Sequence, residues 1–374
     1  MPFNLVIDVR KAFDAGIGTY IRNVLPRVLV RLGSDVRAAA LVPAGQEGRI
    51  DWLREQRNLQ LVPVRAAPMS MAEQFELRRH LSPGTLFWAT SLAHPLWRRG
   101  PLVATVYDVA QLALGRGEGM SAPVAWAAGA LLGSQRRGAS ALLAISDFTR
   151  REFVRCVGPV ACGRIHVTPL GVDEAWFTVA PAAGECAALP YFVCVGSVRP
   201  HKNIERLLQA FAAVADLLPH ELVIAGLGSR TGEHSRWMAA LPPAAQARVR
   251  FTGFVEEPAL RSLVAGADAL VFPSLYEGFG LPALEAMAAG CPVLSSSAGA
   301  LPEVCGEAAA ALFEPRSVDA IGQALLRHAA RSGAERHAIV TRGVAHARTF
   351  GWDRTADLTA DVIGAALHTA GAAP

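Results

Sequence analysis

The feature that most constrains this chain is an alternation that occurs twice. Short runs, apolar from end to end, alternate with longer stretches of helical apolar spacing, and near residue 190 the pattern starts again. Phe3–Val9 is the first run. Arg10-Lys11 and a Gly16-Ile-Gly18 turn follow, then a stretch with Ile21, Val24, Leu25, Val28 and Leu32 on one helical face. Further runs fall at 37–43, 59–64, 84–89, 101–108, 139–146 and 163–172. After residue 190 come 191–197, 221–228, 249–255, 267–274 and 292–297, with Asn203–Ala215 predicted as the first helix of the second half. A strand with one wet face would alternate polar and apolar residues. Runs apolar throughout are covered on both faces, and with helices between them they indicate parallel sheets. The chain has 374 residues, with 52% hydrophobic and 18% charged, which supplies two cores and excludes a disordered or fibrous polymer. The expected fold is α/β, with two doubly wound domains at 1–180 and 190–350. The Ala-, Pro- and Gly-rich stretch 178–190 is the linker candidate. A last helix is predicted at Trp352–Leu367, and whether 352–374 joins the first domain is not legible.

The net charge of +4 is uneven: residues 1–187 hold 21 basic and 15 acidic side chains. That excess is too small to indicate nucleic acid, yet it fits an anionic surface or substrate. Only Lys11 and Lys202 among the 36 basic residues are lysines, so a lysine here hints that a compact point charge is wanted. The six cysteines, Cys156, Cys162, Cys186, Cys194, Cys291 and Cys305, form no C-x-x-C pair and read as reduced thiols. The N-terminal segment lacks the order of a signal peptide and no 18-residue apolar stretch exists, so a cytoplasmic protein is expected.

Ligands of doubly wound sheets sit outside the carboxyl ends of the strands, and three segments there carry chemistry. In residues 273–290, PSLYEGFGLPALEAMAAG, a glycine-bearing turn becomes a helix. Its backbone N–H groups suit a phosphate. Glu277 in the turn and Glu285 on the helix have the residue type to accept pairs of sugar hydroxyls. A capping carboxylate and a solvent-facing charge are the plainer alternative. In residues 195–203, VGSVRPHKN, Arg199 and Lys202 offer a planar fork and a point charge for a diphosphate. Two solvated bases at a helix start are the alternative, but bases there oppose the helix dipole unless an anion is present. Gly16 and Gly18 do not complete G-x-G-x-x-G, and the run 37–43 ends in Val-Pro without an acidic residue, which disfavours a nicotinamide cofactor. Asp108 ends a buried run, as a functional group or as a helix cap. His94 follows another, where a lone histidine is more often structural. No D-x-D stands in a loop, so no metal site and no cofactor are expected.

These segments, in this order over nearly the whole chain, resemble the retaining nucleotide-sugar glycosyltransferases of family 4. The matching stretches are 16–25, 106–112, 145–153, 167–177, 191–211, 222–228, 249–255, 267–293 and 301–315. The start, GIGTY, is especially similar to bacterial polysaccharide and O-antigen mannosyl- and rhamnosyltransferases. The resemblance implies the GT-B fold, two facing Rossmann-like domains with a cleft between them. It implies that Glu277 contacts donor-sugar hydroxyls, that the backbone of Gly278, Phe279, Gly280 and Leu281 approaches sugar and phosphate, and that Glu285 holds the ribose. Arg199 and Lys202 would hold the diphosphate, and Gly16 and Gly18 would lie in a loop closing over donor and acceptor. Catalytic roles fall to Glu277, Arg199, Lys202 and Asp108. Many relatives read His-Asp where this chain has Tyr107-Asp108, so either the donor differs or His94 compensates.

The implied function is metal-independent transfer of a hexose, GDP-mannose first and dTDP-rhamnose second, to a glycan or lipid-linked saccharide, with no nucleic-acid partner. A nucleotide-sugar 2-epimerase and a non-catalytic glycan-binding relative are the rival readings. Residues 120–138 join Val124, Trp126, Leu131 and Leu132 to Arg136-Arg137. They read either as a core helix with a solvated end or as a peripheral contact with an anionic membrane.

Overall fold

The structure, a computed structural model, describes residues 3–53, 56–114, 121–180, 189–197, 199–226 and 231–371. Cys186, Met120 and most of the linker candidate, 181–188, lie outside these. The chain divides into two units: the first runs to Gly171 and resumes at Gly351, and the second is Val172–Phe350.

The first unit holds β1 (Leu5–Asp8), β2 (Ala38–Pro43), β3 (Leu59–Val64), β4 (Leu86–Ala89), β5 (Leu102–Val106), β6 (Ala141–Ala144) and β7 (Ile165–Val167). Its helices are α1 (Ala15–Leu32), α2 (Met71–Arg78), α3 (Ala110–Ala113), α4 (Ala122–Gly138) and α5 (Asp147–Val157). The sheet order is β3-β2-β1-β4-β5-β6-β7, all pairs parallel, with Leu5 level with Ala38 on one side and Leu86 on the other. Every residue of β1, β4, β5 and β6 is buried, as runs apolar on both faces require.

The second unit holds β8 (Tyr191–Val195), β9 (Glu221–Ala225), β10 (Val249–Gly253), β11 (Ala269–Phe272), β12 (Val293–Ser296) and β13 (Ala311–Phe313). Its helices are α6 (Ile204–Val214), α7 (Thr231–Ala239), α8 (Pro243–Gln246), α9 (Glu257–Ala265), α10 (Leu281–Ala288), α11 (Leu301–Cys305), α12 (Val318–Ala329) and α13 (Gly333–Ala347). The order β10-β9-β8-β11-β12-β13 is again parallel and reverses between β8 and β11. That reversal opens a crevice at the carboxyl ends of these two strands, where ligands of such sheets bind. β13 has only three residues, too few to register as a run in the sequence.

The last helix, α14 (Trp352–Gly371), packs on α1, where Arg31 meets Asp353 and Asp357. Thr355 Oγ1 donates to the Pro169 carbonyl at 2.6 Å. A Cβ on Gly171 would collide with the backbone of Trp352, so a glycine is needed where the two chain segments cross.

One expectation is corrected here. Gly16 and Gly18 do not form a loop: α1 begins at Ala15, so both stand in its first turns. The chain reverses earlier, through Ala12 N–H to Val9 O at 2.9 Å and Asp14 N–H to Lys11 O at 3.1 Å, so no glycine is needed for the turn. Gly18 is buried against Ala12, and a Cβ there would sit 2.5 Å from that carbonyl oxygen. Gly16 is exposed and has open space around it. No helix among the described residues is long and apolar enough to cross a membrane.

Candidate active site

The site is built where β8 and β11 end. After β8 the chain makes a single 3-10 turn, Pro200–Lys202, and Asn203 then takes the left-handed conformation (φ 60°, ψ 30°) before α6 begins. Asparagine tolerates that region better than other residues with a Cβ. Its side chain is fully used: Nδ2 donates to the carbonyls of Pro273 at 3.0 Å and Pro315 at 2.7 Å, and Oδ1 accepts from Arg206 Nη1 at 2.8 Å. Leu275 N–H donates to His201 O at 2.7 Å. The turn after β8 is thus stitched to the loops after β11 and β13.

That stitching brings Lys202 and Glu277 together. Nζ donates to Glu277 Oε1 at 2.6 Å, with both side chains less than one-fifth exposed. Nζ also stands 5.5 Å from the centroid of the Phe272 ring, within range of a cation–π attraction. Burial first, and then the Lys202 charge, hold His201 below the usual imidazole range, so it is neutral at pH 7.

Two glycines fix the loop around Glu277. Gly299, after β12, has φ 66°, and a Cβ there would lie 2.6 Å from Glu277 N; beside it Ala300 N–H donates to Glu277 O at 2.9 Å. Gly280 has φ 102° and caps α10, where a Cβ would collide with Leu301. Phe279 is buried edge-on against Phe350, with ring centroids 6.0 Å apart, and the α10 amino terminus follows at Leu281. The helix dipole favours an anion at this end, although Pro282 carries no N–H and Ala283 N–H donates to Gly280 O at 2.9 Å.

Glu285 lies one turn further along α10, half-buried. Its carboxyl is pushed up to about 8, first by burial and next by the Glu257 carboxylate, against a smaller opposing effect of Arg261. Its electrostatic neighbours are therefore Glu257, Arg261 and Asp173. Arg261 pairs with Glu257 and lies 5.8 Å from the Trp176 ring. Arg199 is exposed, and among the described residues its guanidinium makes no hydrogen bond.

Gly16, Gly18 and Asp108 belong to the first unit. Asp108 Oδ1 accepts from Ala110 N–H at 2.9 Å, at the start of α3. Tyr107 OH donates to Thr90 O at 3.0 Å and packs edge-on against Tyr20. His94 is completely buried between Leu92 O, 3.0 Å from Nδ1, and Ser134 Oγ, 3.3 Å from Nε2. Burial pulls it down to about 4, so it is neutral and enclosed at pH 7.

Sequence reasoning missed Asn203 and Gly299. Asparagine ahead of an amphipathic helix was a signal for a left-handed residue, whereas the Gly299–Glu277 approach joins residues far apart in the chain. Among the described residues no three His, Cys, Asp or Glu side chains gather as a metal-ligand set. A cavity of about 760 Å³ in the first unit, lined by Asn4, Asp35, Asp357, Asp361 and His368 among others, lies at the amino-terminal edge of its sheet, not at the carboxyl ends of its strands.

Residues 189–331 match the family described as glycosyl transferases group 1. The O-antigen chain mannosyltransferase B of Escherichia coli is 34% identical over 230 residues, 58% of either chain. The MMP alpha-(1->4)-mannosyltransferase of Mycolicibacterium hassiacum is 31% identical over 291 residues, 77% of this chain and 64% of its own. The chain spans less than two-thirds of the length of these curated relatives. HepE from Anabaena, solved in complex with UDP-glucose, superposes with a TM-score of 0.75 at 16% identity, over 97% of this chain and all of its own. At that identity the likeness establishes the fold, the GT-B type of two Rossmann-like domains. The chain is thus similar to bacterial O-antigen mannosyltransferases, and its residues 189–331 carry the domain of the group 1 glycosyl transferases.

Proposed function

We propose that this chain is a retaining glycosyltransferase that moves a hexose from a nucleoside diphosphate to a hydroxyl of a glycan or lipid-linked saccharide in bacterial polysaccharide synthesis. The observation that supports this most is the Lys202–Glu277 pair, 2.6 Å apart where the strand order reverses, with the unengaged Arg199 three residues from Lys202. Without ligand the ammonium and the carboxylate neutralise each other. With donor bound, Lys202 turns to the diphosphate, Arg199 adds its fork, and Glu277 is released to accept hydrogen bonds from sugar hydroxyls.

The leaving diphosphate gathers negative charge as the glycosidic bond breaks. Two cations and the amides between Gly278 and Leu281 stabilise that charge where it develops, which is the form of electrostatic catalysis that needs no metal. No enzyme nucleophile is assigned: the acceptor hydroxyl attacks from the face the diphosphate leaves, and the departing phosphate takes its proton. Glu285 meets the ribose. Asp108, on the first unit, is assigned to the acceptor side of the reaction, and Gly16 and Gly18 to the first turns of α1. The two mannosyltransferase relatives favour mannose, so GDP-mannose is the first donor and dTDP-rhamnose the second. The reading includes a cytoplasmic protein reaching a lipid-linked acceptor at an anionic membrane surface.

A thermal-shift panel of GDP-mannose, dTDP-rhamnose and UDP-glucose tests it. Ligand at 100 times its Kd stabilises by about 2.7 kcal/mol, a shift of several degrees. No shift with any nucleotide sugar refutes the reading, and conversion of the donor without acceptor points to an epimerase.

A further inference from the structure

The first unit turns an apolar patch outward beside a set of arginines. On α2, Met71 and Phe75 stand one turn apart, 64% and 59% exposed. The loop after β4 brings Leu96 and Trp97 beside them, and the Phe75 and Trp97 rings are 5.9 Å apart. The opposite side of α2 is anchored. Buried Gln74 donates to His94 O at 3.2 Å and accepts from Leu96 N–H at 2.7 Å, so helix and loop are locked to one another. The apolar side chains are therefore held outward on a rigid base.

The charges around them are sorted. Residues 65–100 contain Arg65, Arg78, Arg79, Arg98 and Arg99 against only two carboxylates, Glu73 and Glu76. Both carboxylates are engaged within the unit, Glu73 buried and Glu76 half-exposed. Glu73 is buried against Arg10, and Glu76 accepts from the N–H groups of Arg65 and Ala66 at 3.0 and 2.7 Å. Arg78, Arg79 and Arg99 remain exposed. Four apolar side chains are too few for a stable protein interface, which takes about 20–30 residues a side. A small aromatic insertion flanked by bases is enough to hold a protein at the headgroups of an anionic bilayer.

We propose that Met71, Phe75, Leu96 and Trp97 enter the headgroup boundary of an anionic membrane while Arg78, Arg79 and Arg99 meet lipid phosphates. This deepens the membrane part of the function above, and it moves the contact from α4, where Trp126 is also exposed, to α2 and the loop after β4.

The test is sedimentation of the full chain with vesicles of phosphatidylcholine alone or with one-third phosphatidylglycerol, at low and high salt. Wild type should bind the anionic vesicles and lose binding as salt rises. Phe75→Ser with Trp97→Ser should bind about tenfold more weakly or worse. Arg78→Gln, Arg79→Gln and Arg99→Gln together should remove most of the salt dependence. Trp126→Ser should bind as wild type does, and all variants should keep the wild-type Tm and its shift with GDP. Absence of wild-type binding overturns the proposal. So does loss of binding in Trp126→Ser with the Phe75/Trp97 variant unaffected, which would move the contact to α4. Wild-type self-association abolished by the Phe75/Trp97 change would make the patch a protein interface and equally overturn it. Vesicle binding as described without any nucleotide-sugar shift would sink the transferase reading alone.

Discussion

Asn203 is the residue on which the candidate site hangs, and replacing it gives a calculable result. In Asn203→Ala the carbonyls of Pro273 and Pro315 each lose a donor, and both residues are buried. An orphaned buried acceptor costs roughly 1–3 kcal/mol, so the pair costs at least about 2 kcal/mol. Alanine at φ 60° adds about 1–2 kcal/mol of left-handed strain. The sum is at least about 3 kcal/mol. For a unit of this size each kcal/mol moves Tm by about 2–4 °C, which predicts a drop of roughly 6–12 °C. Asn203→Gly loses the same bonds but not the strain. After the extra freedom of an unfolded glycine, about 0.5–1 kcal/mol, it should melt no lower than the alanine variant and up to about 3–6 °C above it. Both are read by differential scanning fluorimetry on the full chain, with circular dichroism to confirm a cooperative transition. An alanine variant within 2 °C of wild type would show that water replaces the amide and that the three loops are held by something else.

Four further outcomes are expected. Lys202→Ala should lower turnover by about 10²-fold or more while leaving the fold intact, because the lost cation faces developing charge; wild-type kcat/KM would remove Lys202 from the diphosphate. Glu277→Gln should cut transfer strongly yet leave GDP affinity near normal, since an amide can replace only part of the accepting capacity; equal loss of both would make Glu277 a support for its loop. Activity should persist in excess EDTA, and loss of activity restored by Mn²⁺ would refute the metal-free reading. The Glu285 carboxyl is raised to about 8 in the folded chain, against about 4.3 when unfolded. The folded state therefore keeps a proton that the unfolded state releases between those values, and stability falls as pH rises through that window. Glu285→Gln removes the effect, so its Tm should gain on wild type between pH 5 and pH 8; a constant difference would show that the carboxyl titrates normally.

The periodicity of the chain determined most of its architecture. Runs such as Leu86–Ala89 and Leu142–Ala144 have no polar face to offer water, so only a parallel sheet covered on both sides accommodates them. The strand ends then pointed to the candidate site, and Arg199, Lys202, Glu277 and Glu285 stood out as candidates because each follows such an end in a segment with a recognisable pattern. Local pattern failed where a residue answers to a distant one. Gly16 and Gly18 read as a turn, yet Gly18 is glycine because α1 passes too close to the Ala12 carbonyl for a side chain. His94 stood after a strand end like a functional histidine, but the fold encloses it completely and leaves it neutral. The Lys202–Glu277 contact joins residues 75 apart, and it exists because Asn203 ties one turn to two others. Glu285 was legible as a carboxylate, but its proton is held by burial and by Glu257 from another helix. Hydrophobic period is written into neighbouring residues and is read along the chain. Distances, enclosure and fields arise between segments that only folding brings together, and those are what the tertiary structure decided.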